Sequence, residues 1–156
     1  ELMERTQAED EFRKQYEETE RYNLTTIDNA PTVTGLIFFR PTRGMLSSTF
    51  DANQKHFGID IAASPNESVL ATLDGTVILA TYTADTGYVI QVQHSQNLVS
   101  VYKHCGSLLK RVGDTVKAGE AIALVGNTGE KTTGPHLHFE IWNRGRALDP
   151  SKYIVF

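Results

Sequence analysis

The sequence predicts a mainly β fold, antiparallel sheets in a sandwich or partly open barrel, with an N-terminal helical lead-in. Three observations carry this. From Thr32 onward, short β-branched runs are separated by turn residues. Period-two alternation is clear within those runs, as in Val89, Gln91 and Gln93 against Ile90 and Val92. Residues 1–22, ELMERTQAEDEFRKQYEETERY, lack Gly and Pro and are rich in Glu and Arg, with Ala8, Phe12, Tyr16 and Thr19 at helical spacing.

The lead-in is only weakly amphipathic. It therefore reads as a solvated helix, a spacer from an upstream stalk or anchor, or a lid over a cleft. Asn23 to Pro31 reads as a linker, so the chain divides into a charged lead-in and linker, residues 1–30, and a β domain, residues 31–156. In that domain the expected strands are, in order, LIFF (36–39), HFGIDIA (56–62), SVLATLDGTVILATYT (68–83), YVIQVQH (88–94), LVSVYKH (98–104), DTVKAGEAIALVG (114–126) and HLHFEIW (136–142). Asp74-Gly75, Asp85-Thr86-Gly87, Gly113-Asp114 and Gly126-Asn127-Thr128-Gly129 supply the turns. The alternation in 89–93 and in 99–102 predicts strands with one wet face.

At 156 residues the chain suits one domain with a real core. No apolar run is long enough to span a bilayer, and the composition is that of a soluble globular protein. The start at Glu1-Leu2-Met3, without initiator Met or signal h-region, leads us to expect a processed form whose targeting or anchor segment lies upstream. Cys105 is the sole cysteine, which excludes an intrachain disulfide and any multi-cysteine zinc site. Of the formal charge of −4, residues 1–22 hold eight acids and four bases, leaving a balanced body. The basic excess of a nucleic-acid binder is missing.

The chemistry concentrates in histidines. His136 and His138 stand two apart in a strand, on one face and about 6.6 Å from each other. They could bind one metal together, or one could bind it while the other addresses the substrate. His56 and Asp60 in HFGID would sit about 13 Å apart on a straight strand, too far for one zinc ion, so the chain must bend, and Gly58 permits a bend or a close backbone approach. His104 ends the strand LVSVYKH and could be a ring-nitrogen donor or a base. Its neighbour Cys105 would face the other way as a small buried thiol. His94 lies in no pairing motif and reads as a hydrogen-bonded structural residue.

HFGID (56–60), VYKH (101–104) and TGPHLHFEIW (133–142), with SSTF (47–50), ATLDGTV (71–77), GDTVKAGEAIALVG (113–126) and LDPSKYI (148–154), together resemble the lysostaphin/LytM-type zinc metallopeptidases, which cleave peptidoglycan cross-bridges. The resemblance covers nearly all of residues 35–156. It implies one Zn2+ per chain held by His56, Asp60 and His138 with water at the fourth position, and His104 and His136 as uncoordinated catalytic histidines. It further implies peptidoglycan stem peptides or cross-bridges as substrate and a place in the bacterial cell envelope. The family often continues Gly-x-Arg after SSTF, where this chain reads Asp51-Ala52-Asn53, a change at the cleft rim. Cys105 replaces a usual Leu.

In such a site, zinc acidifies a water and polarises the scissile carbonyl, and two imidazoles can move protons and hold the oxyanion. Glu140, two beyond His138, could accept an imidazole N–H, or be a structural or surface carboxylate. Gly126, Gly129 and Gly134, with Thr132 and Thr133, make the preceding loop a candidate cleft wall. Two rival functions remain. GDTVKAGEAIALVG also looks like a lipoyl or biotinyl carrier, but the turn that follows lacks the lysine such a carrier needs. A noncatalytic wall-binding module or hydrolase activator is the other, although such relatives typically lack parts of the histidine set.

Overall fold

The computed structural model describes residues 35–127 and 134–156; the expected helical lead-in, its linker, Gly129, Thr132 and Thr133 lie outside them. Ten strands form: β1 (Met45–Ser48), β2 (Ile59–Ala62), β3 (Ser68–Leu70), β4 (Gly75–Thr83), β5 (Gly87–Gln93), β6 (Leu98–Leu108), β7 (Thr115–Val116), β8 (Ala121–Val125), β9 (His136–Asn143) and β10 (Arg146–Leu148). Their main path is β1-β2-β9-β6-β5-β4-β7, with β10 beside β9 and β8 joining β3 to β6. Every pair is antiparallel, and the sheet does not close. No helix among the described residues is long and apolar enough to cross a membrane.

Strands β9 and β6 are the axis of the sheet. One edge of β9 takes β2 along His136–Phe139 and then β10 along Ile141–Asn143, while its other edge takes β6. Strand β6 in turn pairs with β9 up to Lys103 and with β8 from Cys105. Side chains alternate across such strands, so each feeds two faces. One face holds the larger core: Ile59, Ile61, Ile90, Val92, Tyr102, Leu137, Phe139 and Ile141, closed by Val69 and Ile122 from β3 and β8. Each such aliphatic side chain contributes about 1.5–3 kcal/mol on burial.

Most of the other face is buried, contrary to the expectation from alternation, although Gln93 at the end of β5 is exposed. Val89, Val99, Val101 and Trp142 form a second buried cluster there, packed by Phe57, Ile78, Leu79 and Ala147. Gln91, which reads as a solvent-facing residue, is 5% exposed. Polarity in a strand reports what a face must bond with, and this face carries the polar site described below.

Three local readings also change. LIFF forms no strand: Leu36 and Phe38 pack on the core while Ile37 is exposed, and Phe39 exchanges bonds with Thr72 (N–H to carbonyl, 2.9 Å; carbonyl from hydroxyl, 2.7 Å) without a ladder. Strands β1 and β10 were not foreseen, because MLSS and RAL are short edge segments whose pairing comes from β2 and β9 rather than from their own pattern.

Candidate metal centre

The polar site is built on a row across three strands. Asp60 of β2 and Lys103 of β6 stand directly opposite His138 of β9, one on each side. The His138 Nδ1 lies 2.7 Å from Asp60 Oδ1, and Nε2 lies 2.7 Å from Glu140 Oε2. Antiparallel register alone brings Asp60 to His138; no loop is needed.

His56 reaches the same carboxylate by a different device. A two-bond bridge with Asp51, N–H to carbonyl in both directions at 2.9 Å, folds residues 51–56 into a tight loop. The Asp51 side chain caps the 3-10 turn Ala52–Gln54 by accepting from the Asn53 and Gln54 N–H groups, and Lys55 closes the loop in the left-handed region at φ 58°. Asp51, a departure from the family pattern at the rim, thus has a local task. A bend at Gly58 then returns the chain into β2, and His56 Nε2 comes to 3.3 Å from Asp60 Oδ2. The expected bend is present.

The second ring nitrogens decide what this cluster can hold. His56 Nδ1 lies 2.7 Å from the Thr49 carbonyl, which can only accept, so Nδ1 carries the hydrogen and Nε2 presents a lone pair to Asp60. His138 has a carboxylate on each nitrogen but, when neutral, a single N–H to offer. Two ring nitrogens, one of them bearing the lone pair of His56 Nε2, thus converge on the Asp60 carboxylate, an arrangement suited to a cation between them. Burial works against a charged His138, yet Asp60 and Glu140 outweigh it and hold its pKa above the ordinary value. Burial would likewise raise the Asp60 carboxyl, but the His138 hydrogen bond and the imidazoles of His138, His56 and His136 keep it low.

The ligand atoms of His56, Asp60 and His138 all lie within 4.8 Å of one another. Two nitrogens and a carboxylate oxygen are good zinc donors, with bonds of about 2.0–2.2 Å. The set can hold such an ion.

The two remaining cleft histidines stand beside it. The His104 and His136 rings are 5.0 Å apart, and His104 is 6.3 Å from the His138 ring. His136 Nδ1 lies 2.8 Å from the Gly134 carbonyl, which makes Nδ1 the donor and Nε2 the acceptor nitrogen. His104 owes its position to a bulge: Lys103 and His104 together oppose the single Val89, between the pairs Tyr88–Cys105 and Ile90–Tyr102. Its backbone sits in the left-handed region at φ 64°, with its N–H donated to the Thr86 carbonyl at 2.8 Å. Non-glycine residues adopt that conformation rarely, and such outliers cluster at functional sites.

The residues read as structural behave so. Cys105 is fully buried in the main core, which pushes its thiol up to about 12. His94 is bonded on both nitrogens, to the Asp74 carbonyl and Ser100 Oγ, each at 2.7 Å. Sequence reading missed Lys103 and Trp142, which reach the site beside Glu140. Their signal was available, since 138, 140 and 142 share one strand face, and register places Lys103 opposite His138.

The model of Peptidase family M23 matches residues 54–150. An uncharacterized metalloprotease of Haemophilus influenzae is 40% identical over 115 residues, covering 67% of this chain and 24% of that protein. The murein hydrolase activator NlpD of Escherichia coli is 39% identical over 117 residues, covering 73% of this chain and 30% of that protein. The structure of lysostaphin, the antimicrobial peptidase of Staphylococcus simulans, superposes with a TM-score of 0.63 at 26% identity over 70% of this chain and 48% of that one. The chain thus spans about a quarter to a third of the length of the curated relatives it matches. It belongs to peptidase family M23.

Proposed function

We propose that this member of peptidase family M23 is a zinc-dependent endopeptidase hydrolysing peptide cross-links of bacterial peptidoglycan, acting in the cell envelope. His56, Asp60 and His138 are its metal ligands, and His104 and His136 its catalytic histidines. The observation that carries this is the convergence of ring nitrogens of His56 and His138 on the Asp60 carboxylate, within 4.8 Å of one another, with two further imidazoles alongside.

Zinc held there supplies Lewis acidity and lowers the pKa of water to about 7. The chain's own residues do the rest. The Gly134 carbonyl holds His136 in the tautomer whose Nε2 can take the proton of the attacking water and later return it to the leaving amine. His104, turned toward the same point by its bulge, donates an N–H to the oxyanion that develops on the scissile carbonyl. Thr49 and Glu140 hold the rings of His56 and His138 through their second nitrogens.

The test pairs zinc content, by elemental analysis, with release of muropeptides from purified peptidoglycan. One zinc per chain in the native protein and in His104→Ala, with turnover in the native protein alone, is the expected result. Zinc loss in His104→Ala would contradict the division between ligands and catalytic groups. A second reading, activation of another cell-wall hydrolase, is favoured by the similarity to NlpD. Zinc-loaded native protein that releases no muropeptides but accelerates a separate murein hydrolase would establish that reading instead.

A further inference from the structure

We propose that Glu140 is the positioning residue of the metal centre, selecting which nitrogen of His138 faces the ion; this rests on the zinc reading above. A carboxylate is costly to bury, and Glu140 is 2% exposed, so its partners must repay that cost. They are specific. Oε2 lies 2.7 Å from His138 Nε2 and 3.3 Å from Lys103 Nζ, while Oε1 accepts the Trp142 Nε1–H at 2.8 Å.

Neutral imidazole has one N–H; with the ion seated beside Asp60 on the Nδ1 side, that N–H falls to Nε2, where Glu140 accepts it. Nδ1 is then the lone-pair nitrogen and points at Asp60. Without Glu140 either tautomer is open to the ring. Trp142 fixes the rotation of the carboxyl, and the Lys103 ammonium supplies its counter-charge. All four side chains lie on one sheet face, His138, Glu140 and Trp142 along β9 and Lys103 across from His138 on β6.

Gly58 closes the arrangement from a third side. A Cβ there would lie 2.8 Å from Glu140 Cγ, 3.0 Å from His138 Nε2 and 2.5 Å from the Phe139 carbonyl oxygen. The backbone between His56 and Asp60 therefore rests directly on the His138–Glu140 pair. The glycine of HFGID serves that approach as well as the bend.

The experiment measures zinc affinity of the purified chain by competition with a chromogenic chelator, together with 15N spectra of the histidine rings in the zinc-loaded form. Glu140→Ala should weaken zinc binding about 10–100-fold, the usual effect of removing a partner of a ligating histidine. Glu140→Gln, nearly isosteric and still able to accept the N–H through its amide oxygen, should restore most of the affinity and keep the Nε2–H signature of His138. Should Glu140→Ala fail to fold around Lys103, Trp142→Phe provides a smaller weakening in the same direction. Unchanged affinity in Glu140→Ala, or Glu140→Gln as weak as Glu140→Ala, would overturn the positioning role. Failure of the native chain to bind zinc would remove the metal reading and this one with it. Native zinc binding without peptidoglycan turnover, with the variants behaving as stated, would sink the peptidase alone.

Discussion

His94 and His138 are both well buried in one sheet, yet their partners differ in kind. The groups that hydrogen-bond His94 are neutral, and each proton meets one lone pair. Its Nδ1–H goes to the Asp74 carbonyl, Nε2 accepts from Ser100 Oγ, the Ser100 and Tyr102 hydroxyls lie 2.8 Å apart, and the Thr72 N–H ends the chain on Tyr102 Oη at 3.0 Å. His138 instead meets carboxylates on both sides. Burial pushes the His94 pKa down against the opposing pull of Asp74, whereas two carboxylates raise that of His138 against burial. Burial alone does not separate these two imidazoles; the balance of donors and acceptors does.

The sharpest way to break this contrast is to exchange the two residues' fates. His138→Ala should reduce bound zinc to background and lower peptidoglycan turnover by on the order of 10³-fold, as loss of a main transition-state stabiliser does. His94→Gln should keep both. Zinc retained in the first, or lost in the second, would mean that partner chemistry does not identify the site.

Next in size, His136→Ala should retain zinc while turnover falls about 10²–10⁴-fold, the contribution of a general base. A turnover within a few fold of native would move the proton-transfer role elsewhere. For the His94 centre, Tyr102→Phe removes a hydroxyl that bonds Ser100 and Thr72. It should cost about 1–3 kcal/mol in urea unfolding, the penalty for stranding a buried polar group, and leave zinc affinity unchanged.

The smallest effect is a pH dependence. Because the folded-state pKa of His94 is depressed, the unfolded chain binds its proton first as the pH falls below about 6.5. Stability from this residue is thus complete above that pH and declines below it. In chelator, the urea midpoint of the native protein should fall more between pH 7 and 5 than that of His94→Gln. Parallel curves would show that the neutral chain around His94 contributes no such linkage.

The strands that carry the site were legible because their pattern is local. HLHFEIW shows its alternation, and a strand puts His136, His138 and Glu140 on one face whatever surrounds it. The structural roles of His94 and Cys105 were also readable, the first from its isolation from any pairing motif and the second from the strand alternation that turns it away from His104. The fate of the second face was not legible, since a Gln in a strand does not say whether water or a buried polar cluster lies opposite. Nor was the aim of His104, which depends on a bulge created when β6 leaves β9 for β8.

The amino-acid sequence by itself determined an antiparallel β protein of the M23 type and the residue kinds that the proposed zinc site draws on, because strand periodicity and short motifs are properties of neighbouring residues. Only the tertiary structure decided which atoms meet. Register set Asp60 and Lys103 on either side of His138, the Asp51–His56 bridge turned a long strand separation into a 3.3 Å contact, and the carbonyls of Thr49 and Gly134 chose the tautomers of His56 and His136. Such choices belong to hydrogen-bond partners brought together from distant parts of the chain, and no local pattern encodes them.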